Sequence, residues 1–576
     1  MAPYEYSRLD TVDEIRLLTL LPGKLVDPLE VLITHVHLAT PEENEGTRMP
    51  IKELRSTVPP GWSVYETLDG RYIFEEQCTE NTTWTHPDPQ FPLAAYDGYA
   101  TNQSPTYKPK FEALSYAWGS TDKTETLLAR TAASTSGSVG EVYINKSLAS
   151  VLRHLRYVES NRVLWIDAIC INQADIPERN AQVSRMRYIY KLAQRTVFWI
   201  GPATNSSSLA LSTLAYFGSQ VEYTTCNNHL RSPDAVELDW WHNSVELPYN
   251  DTAWQALDDL FNSSWFERLW IVQEVLMCRR GSILQCGNEV VPWNLIRLSV
   301  LRLVRKNSPS LSLSKALRRI RNSFCWPHYT PLELLAGNEG RKCTDPRDRI
   351  YGILGLIPEQ LAERIPINYA LPFAEVFKQS FLELMRYSNR LDALQYGRMH
   401  NRTLGLPTWV PTWSDSRGVS GVLPAYWAAD GSFTAQAVFS APDQLKAQGL
   451  KIATVSSVGK PISRNLHRLP SLIRESWSKI LCMTEKVRND SLLDVLISTY
   501  TMYRDTDTYI YFEFCTRTHW KEIFSKIISV PDDNLANSEL TEEIQHSFGG
   551  DDLDWAFVTT AEGFIGLASS EVQCGM

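Results

Sequence analysis

Five polar, aromatic or small residues follow two short apolar runs in the first third of the chain. They are Ser115, Tyr116, Trp118, Gly119 and Asp167. Apolar runs of this length are typical of buried strands, and α/β proteins bind ligands beyond the carboxyl ends of such strands. Tyr116 and Trp118 could stack on a base there, and Gly119 would let a ligand approach the backbone. The spacing therefore predicts a binding crevice at these residues.

The carboxylate of Asp167 has two interpretations that the sequence leaves open. It ends an apolar strand, where it could position a ribose or a backbone group at the crevice. It could instead cap the following loop, which contains Asn172 and Gln173.

Glu274 is a third candidate, four residues after Trp270 in an apolar helical pattern. A carboxylate close to a ribose can hold its hydroxyls and stabilise positive charge that develops on the sugar. The alternative is a solvated or salt-bridged helix residue, because Arg268 precedes Glu274 and Arg279 follows it.

Two further groups have simpler interpretations. Cys170 has apolar neighbours on both sides and is expected to be a buried small hydrophobe rather than a nucleophile. Arg347, Asp348 and Arg349 could bind a phosphate, but such clusters more often form an internal ion-pair network, and we favour that role.

The elements that must position these residues follow a β-α-β-α-β order between residues 111 and 201. Apolar runs predict strands and residues at helical spacing predict helices, with Asp175 and Pro177 as start signals for the second helix. Such an order predicts a parallel sheet covered by helices. The predicted segments are the strands Phe111–Gly119, Val163–Ile171 and Arg195–Gly201 and the helices Ser147–Leu155 and Glu178–Ala193, with Met186, Tyr190 and Trp199 in the core. A further amphipathic helix is predicted over Trp265–Arg280.

Composition excludes several classes of protein. The chain has 576 residues, a net charge of −10, 43% hydrophobic and 21% charged residues. No Lys/Arg cluster offsets the charge, so nucleic-acid binding is not expected. A basic and apolar leader is missing, and no apolar run approaches the roughly 18 residues of a membrane span. We therefore expect a soluble, cytoplasmic protein without a membrane span.

Motifs for metals and common cofactors are missing from the sequence. The ten cysteines form no C-x-x-C pair and no zinc spacing. The glycine patterns of P-loop ATPases and of Rossmann dehydrogenases are also missing. The sequence thus predicts no metal site and no bound cofactor.

Several blocks resemble, in order, the fungal heterokaryon incompatibility (HET) domain. They are EIRLLTLLPG, FEALSYAWGS, LWIDAICINQADIPERNAQVSRMRYIYKLA, VFWIG, RLWIVQEV and TDPRDRIYGILGL. HET domains are similar to TIR domains, which have a flavodoxin-like fold and carry a W-x-x-x-E pattern, matched here by Trp270 and Glu274. In TIR enzymes that Glu works in NAD cleavage, so the resemblance implies Glu274 as catalytic residue and NAD as substrate.

Residues Pro59–Pro87 resemble a WW domain, a small three-stranded module. Trp62, Phe74 and Pro87 match the residues that hold that fold together. On the ligand face, Trp84 matches one wall of the proline clamp, but Ile73 replaces the aromatic residue of the other wall. Weak or altered binding of Pro-rich peptides is therefore expected.

The resemblances imply a division of the chain and two functions. The expected regions are 1–55, the start of the HET region; 56–90, the WW-like insert; 91–360, the HET (TIR-like) domain with an insertion at about 202–262; and 361–576, a mixed α+β extension that ends early. One implied function is a cell-death effector that cleaves NAD. The other is a non-catalytic module that signals through self-association or through partners of the insert.

Overall fold

A computed structural model of the chain describes most of its first 394 residues and separate segments beyond them. The described ranges are 2–38, 48–97, 110–119, 122–131, 139–306, 310–324, 330–338, 340–391, 393–394, 405–413, 437–440, 443–462, 469–481, 492–501, 517–529, 555–569 and 572–575. The chain divides into two compact units, one formed by Met1–Pro331 with Arg341–Phe373 and the other by Leu332–Gly340 with Ala374–Met576.

The described segments contain β1–β14 in the first unit and β15–β19 in the second. The strands are β1 (Glu14–Leu20), β2 (Leu29–His37), β3 (Trp62–Glu66), β4 (Tyr72–Glu76), β5 (Asn81–Thr83), β6 (Glu112–Tyr116), β7 (Glu125–Thr131), β8 (Val139–Ile144), β9 (Arg162–Trp165), β10 (Arg195–Gly201), β11 (Val221–Tyr223), β12 (His229–Arg231), β13 (Ile283–Cys286), β14 (Glu289–Pro292), β15 (Ala437–Ser440), β16 (Gln444–Ala447), β17 (Val455–Ile462), β18 (Trp555–Thr560) and β19 (Ile565–Ser569).

The helices follow the same order. They are α1 (Ile51–Leu54), α2 (Lys146–Leu155), α3 (Asp167–Cys170), α4 (Ile176–Leu192), α5 (Ser207–Ser219), α6 (Asp251–Phe261), α7 (Ile271–Met277), α8 (Trp293–Leu303), α9 (Leu311–Phe324), α10 (Pro331–Ala336), α11 (Asp348–Tyr351), α12 (Glu359–Ala362), α13 (Phe373–Ser388), α14 (Leu469–Leu481), α15 (Leu492–Thr501) and α16 (Arg517–Ser529), with 3-10 turns at Leu93–Ala95, Ser264–Glu267 and Leu354–Leu356. Within the described ranges, no helix is both long and apolar enough to cross a membrane.

A mixed sheet with strand order β14-β13-β10-β6-β9-β1-β2-β7-β8 forms the centre of the first unit. Strands β13, β10, β6 and β9 are parallel, as the sequence predicts for three of them. The prediction of a parallel sheet is wrong for the flanks, where β1 runs antiparallel to both β9 and β2. The reason is local, because the short link Leu21–Pro28 can join β1 to β2 only as an antiparallel pair.

Two helices beside the central strands form as predicted. The side chain of Asn145 accepts a hydrogen bond from the Leu148 amide at 2.8 Å and starts α2, whose apolar face is buried. Asp175 caps α4 by accepting from the Glu178 amide at 3.0 Å. The predicted core residues of this region, Met186, Tyr190 and Trp199, are all buried.

The continuous helix predicted over Trp265–Arg280 is wrong. A 3-10 turn ends at Glu267, the backbone is extended at Arg268, and α7 begins only at Ile271. The break has a tertiary cause. The Arg341 guanidinium, which is buried, donates to the carbonyls of Phe266 at 3.0 Å and of Arg268 at 3.1 Å. These contacts, together with the parallel bridge between Arg268 and Lys342, hold the chain extended at Arg268.

The segment between β2 and β6 contains a separate three-stranded antiparallel sheet, β3-β4-β5. We call residues 48–97 the insert. Its small core contains Leu54, Val64, Tyr72, Phe74 and Tyr96. The two ends of the insert meet, because the Met49 amide donates to the Ala95 carbonyl at 2.7 Å. The segment thus has three strands, the number expected from its resemblance to a WW domain.

The polar stretch at about 202–262 folds against the same unit. Helices α5 and α6 pack their apolar faces into a core with Trp265 and Trp293, and the hairpin β11–β12 lies between them in the chain.

The second unit has its own core among α14, α15, α16 and Phe557 of β18, beside the sheet β17-β18-β19.

A buried ion pair joins the central sheet to α4. Arg16 of β1 is fully buried and forms a two-pronged pair with Glu178, with its Nη2 2.9 Å from Oε2. Glu178 also accepts from the Asn172 amide at 2.7 Å. Arg16 would lose its counter-charge in the interior if Glu178 were removed, and an unpaired buried charge is strongly destabilising.

We therefore predict that Glu178→Ala lowers the free energy of unfolding by about 3–5 kcal/mol, measured by urea denaturation. The control is Glu30→Ala, which removes an exposed pair with Arg130 at 3.0 Å and should cost less than about 1 kcal/mol. Equal losses in the two variants would contradict a special role for the buried pair.

Candidate functional site

Glu274 of α7 contacts Ser115 near the carboxyl end of β6. The Ser115 hydroxyl donates a hydrogen bond to Glu274 Oε2, and the indole Nε1 of Trp265 donates to Ser115 Oγ at 2.8 Å. Ser115 and Glu274 are each only 1% exposed. Two of the predicted site residues, 159 positions apart in the chain, are thus joined directly.

The sheet register places Ser115 and the start of α3 at the same edge. Ala113 of β6 is paired with Trp165 of the parallel strand β9. Ser115 and Asp167 each follow two residues later, so both lie where these neighbouring strands end. On the other side of β6, Phe198 of β10 is paired with Ser115. The predicted site residues Ser115 and Asp167 therefore lie at the ends of the adjacent strands β6 and β9.

Arg268 is the cation closest to Glu274 in this cluster. Its Nη1 lies 3.7 Å from Glu274 Oε2 and is buried without a hydrogen-bond partner among the described residues. Burial raises the pKa of Glu274 above its ordinary value, while Arg268 and the hydrogen bond from Ser115 oppose that rise. The hydroxyl of Tyr190 lies 3.2 Å from the Leu114 carbonyl and also interacts with Glu274.

Asp167 begins α3 and orders the loop that follows it. Its Oδ1 accepts from the Ala168 amide at 2.8 Å, and Gln173 Nε2 donates to its main-chain carbonyl at 3.0 Å, so it does order the next loop. Its Oδ2 accepts from Trp118 Nε1 at 3.2 Å, which points it toward the crevice residues. Burial raises the pKa of Asp167, and Arg268 opposes that rise.

The remaining predicted crevice residues differ in their access to solvent. Tyr116 is 2% exposed, and burial together with the nearby Asp167 raises its pKa well above the ordinary value. Trp118 is 43% exposed. Gly119 has a φ of +70°, and a Cβ there would lie 3.2 Å from Ser147 Cβ. Trp118 thus presents an exposed aromatic ring, whereas Tyr116 is buried.

Three residues that contact Ser115 or Glu274 were not predicted as site residues: Arg268, Tyr190 and Trp265. The sequence indicates Arg268 only as a salt-bridge partner of Glu274, Tyr190 as a core residue and Trp265 as part of a helix. The sequence offered one signal for Arg268, a cation six residues before the candidate carboxylate. No local signal indicates Trp265 or Tyr190, because each reaches the site through a long-range contact.

The predicted ligand face of the insert is closed in this structure. Ile73 is fully buried within β4, so its side chain offers no surface to a peptide. The ring of Trp84 is covered by the guanidinium of Arg71, whose Cζ lies 3.6 Å from the ring centroid. The indole Nε1 donates to Asp234 Oδ2 at 3.0 Å. The ring and the N–H of Trp84 are therefore both contacted by residues of this chain.

Two groups have the structural roles that the sequence favours. Arg347 pairs with Asp345, with Nη2 2.8 Å from Oδ2. Asp348 accepts from Trp270 Nε1 at 3.1 Å and from the Tyr369 hydroxyl at 2.6 Å, which fixes the start of α7. Cys170 is buried, and burial raises the pKa of its thiol to about 12. The described residues contain no group of His, Cys, Asp and Glu suited to a metal ion.

Comparison with known proteins identifies the class of this region. Residues 111–274 match the family model described as "Heterokaryon incompatibility protein (HET)". The predicted resemblance to the HET domain is therefore confirmed for the segment that runs from the start of β6 to Glu274 itself.

A curated relative supports the same class. The chain is 28% identical over 366 residues to the "Heterokaryon incompatibility protein 6, OR allele" of Neurospora crassa. The matched segment covers 53% of this chain and 53% of that protein. The chain thus spans about half the length of this relative. No solved structure matches the chain.

The raised pKa of Glu274 generates a prediction about stability and pH. When the pKa of an acid is higher in the folded than in the unfolded protein, its protonated form stabilises the fold. This contribution is complete at pH values below the ordinary pKa of 4.5 and is lost as the pH rises through the pKa of the folded protein. Glu274→Gln keeps an acceptor for Ser115 but cannot ionise. The unfolding free energy of the wild type minus that of the variant should therefore fall as pH rises from 4 to 8.

Thermal or urea denaturation at several pH values measures this difference. The control is Glu246→Gln, an exposed carboxylate of the same unit, for which the difference should be flat. A difference for Glu274→Gln that rises with pH would show that Arg268 outweighs burial.

Proposed function

We propose that this protein acts in heterokaryon incompatibility and that its HET region triggers cell death by cleaving NAD. The match over residues 111–274 and the similarity to the Neurospora protein support the first part. The second part is carried by one observation, the direct contact of Glu274 with Ser115 at the carboxyl end of β6.

The order of the parallel strands supports a ligand site at this position. Numbered by their place in the chain, β6, β9, β10 and β13 are the first to fourth strands, and they lie side by side in the order 2-1-3-4. Flavodoxin-like folds share this order and bind their ligands where the first and third strands diverge. Here that point is the end of β6 and β10, where Ser115 and Glu274 meet.

The chemistry of NAD cleavage suits a single carboxylate. Breaking the bond between nicotinamide and ribose develops positive charge on the sugar, as in glycoside hydrolysis. Nicotinamide leaves from an already cationic ring, so no general acid is needed. Glu274 would hold the ribose hydroxyls and stabilise the developing charge. Ser115 would orient Glu274, and Arg268 would favour its ionised form against the effect of burial.

The exposed part of the cluster would bind the rest of the substrate. The ring of Trp118 would stack on a base or on nicotinamide, and Asp167 would position a ribose. Because Glu274 is 1% exposed, access to it requires some of the residues around it to move. A closed resting state of this kind suits an enzyme that is lethal when active and is switched on by self-association or by a partner.

The burial of Glu274 also favours a second candidate function. A carboxylate that is sealed by Arg268 and Ser115 can serve only to hold α7 on the sheet. The protein would then be a non-catalytic signalling module that acts through self-association or through partners of the WW-like insert.

Release of free nicotinamide from NAD by the purified full chain distinguishes NAD cleavage from the non-catalytic module. The assay compares protein in solution with protein crowded on beads, because an effector of this kind needs a trigger. We expect the wild type to release nicotinamide, Glu274→Gln to be slower by about 100-fold or more and Ser115→Ala by about tenfold. Glu246→Gln is the matched control and should retain full activity.

Two results would contradict NAD cleavage. One is the absence of release by folded wild type in both formats, and the other is equal release by wild type and Glu274→Gln. The first of these, with a stability loss in Ser115→Ala, would support the non-catalytic module instead.

A further inference from the structure

Helix α5 presents to solvent a face that carries no charge. Its sequence, SSLALSTLAYFGS, contains no Asp, Glu, Lys, Arg or His. Leu209 and Tyr216, which lie about two turns apart on one side of the helix, are both exposed. The hydroxyls of Ser212 and Ser219 donate to carbonyls of the same helix at 3.1 Å and 2.7 Å. The outer face of a helix in a globular protein normally carries charged and polar side chains, so the outer face of α5 is unusually apolar.

The chain beyond β12 returns to the end of α5 and lies beside this face. The amides of Val236 and Glu237 donate to Gln220 Oε1 at 2.8 Å and 2.9 Å. The Tyr216 hydroxyl donates to Glu237 Oε1 at 3.0 Å, and the ring of Tyr216 meets the ring of Trp240 edge-on, with 5.6 Å between the centroids. These contacts fix the returning segment against the C-terminal half of the helix.

The returning segment adds two apolar side chains to the exposed surface. Val236 is 73% exposed and Leu238 is 55% exposed. We call Leu209, Tyr216, Val236 and Leu238 the α5 patch. Exposed apolar patches that are rimmed by polar residues mark interaction sites on soluble proteins. The α5 patch therefore has the character of a docking surface.

The rim of the α5 patch is acidic. Residues 232–267 include eight Asp or Glu and no Lys or Arg. Two of these carboxylates, Glu237 and Asp239, stand on either side of Leu238. Among the residues that the structure describes, neither carboxylate is paired with a Lys or Arg. The patch thus combines an apolar centre with a negative potential.

This potential distinguishes between the molecules that could cover the patch. Two copies of the chain that met through the same patch would bring like charges together, which is unfavourable. The cytoplasmic face of a membrane is itself anionic and would repel the carboxylates. A cationic partner is attracted by them, and its Lys or Arg side chains can also lie over the exposed ring of Tyr216. Charge complementarity therefore favours a basic segment of another protein.

We propose that the α5 patch is a docking site for a basic amphipathic helix of a partner protein. The apolar side of that helix would cover Leu209, Tyr216 and Leu238, and its Lys or Arg side chains would pair with Glu237 and Asp239. Helices that dock in this way present apolar anchors at i, i+3, i+4 and i+7, which matches the two-turn separation of Leu209 and Tyr216. The proposal does not depend on NAD cleavage.

A fluorescently labelled peptide of sequence LKKLLKLLKKLLKL, which forms a basic amphipathic helix, serves as the probe. Its binding to the full chain is followed by anisotropy at physiological salt. We expect saturable binding of one peptide per chain. The peptide LEELLELLEELLEL has the same apolar side and the opposite charge, and it should not bind.

Two variants separate the charged from the apolar contribution. Glu237→Gln/Asp239→Asn removes the two charges but keeps the acceptor for Tyr216, and it should weaken binding by about tenfold. Leu209→Ser removes an exposed apolar side chain and should weaken binding by about fivefold or more. Glu159→Gln removes an exposed carboxylate on the loop between α2 and β9 and should bind like the wild type. Melting temperatures within a few degrees of the wild type confirm that each variant is folded, and if one of the first two fails to fold, the other decides.

Cross-linking then locates the peptide on the chain. A probe with a benzophenone side chain in place of one Leu is irradiated with the wild type, and the cross-linked residues are identified by mass spectrometry. We expect cross-links within residues 207–219 or 236–240. Cross-links confined to other segments would refute the proposal, because the peptide would then bind elsewhere on an acidic protein.

Other results would also overturn the proposal. They are no saturable binding of the basic peptide by the folded wild type, equal binding of the acidic peptide, and unchanged binding by the folded variants at Leu209 and at Glu237 with Asp239. A wild-type dimer that Leu209→Ser dissociates would instead assign the patch to a second copy of this chain. Binding to vesicles of anionic phospholipid that is lost in Leu209→Ser would assign it to a membrane surface.

Discussion

The position of Glu274 depends on a break in the chain that Arg341 and Lys342 stabilise. The buried guanidinium of Arg341 donates to the carbonyls of Phe266 and Arg268, and Lys342 pairs with Arg268 through the backbone. The chain turns at Arg268, and α7 starts in a new direction that carries Glu274 to Ser115. The same turn leaves the side chain of Arg268 beside the carboxylate that it neutralises. Contacts with a segment that begins 73 residues downstream of Arg268 thereby support the geometry of the site.

Burial makes this cluster strongly interdependent. Each of its carboxylates loses hydration, which raises its pKa, and each is compensated by the one guanidinium of Arg268. A shared counter-charge couples Asp167 to Glu274, because a change in the ionisation of one alters the field at the other. Opening the site to water would weaken this coupling and let both groups ionise more easily.

The sequence predicted those parts of the site that depend on local pattern. Ser115 and Asp167 follow apolar runs, and parallel strands with this register must end side by side. The carboxylate Glu274 came from a family resemblance, since its helical spacing fits an ordinary surface residue equally well. The break before α7 and the roles of Trp265 and Tyr190 could not be predicted, because they depend on contacts between distant segments. The antiparallel pairing of β1 with β2 could have been predicted, because the link between these strands is short.

The hydrogen bond between Met49 and Ala95 has a consequence for how the chain folds. It closes the insert into a ring whose entry and exit lie next to each other. Once this ring has formed, the path from β2 to β6 is effectively much shorter than the number of residues between them. Loop-closure entropy depends on the length of free chain, so a folded insert lowers the entropic cost of bringing β6 into the sheet.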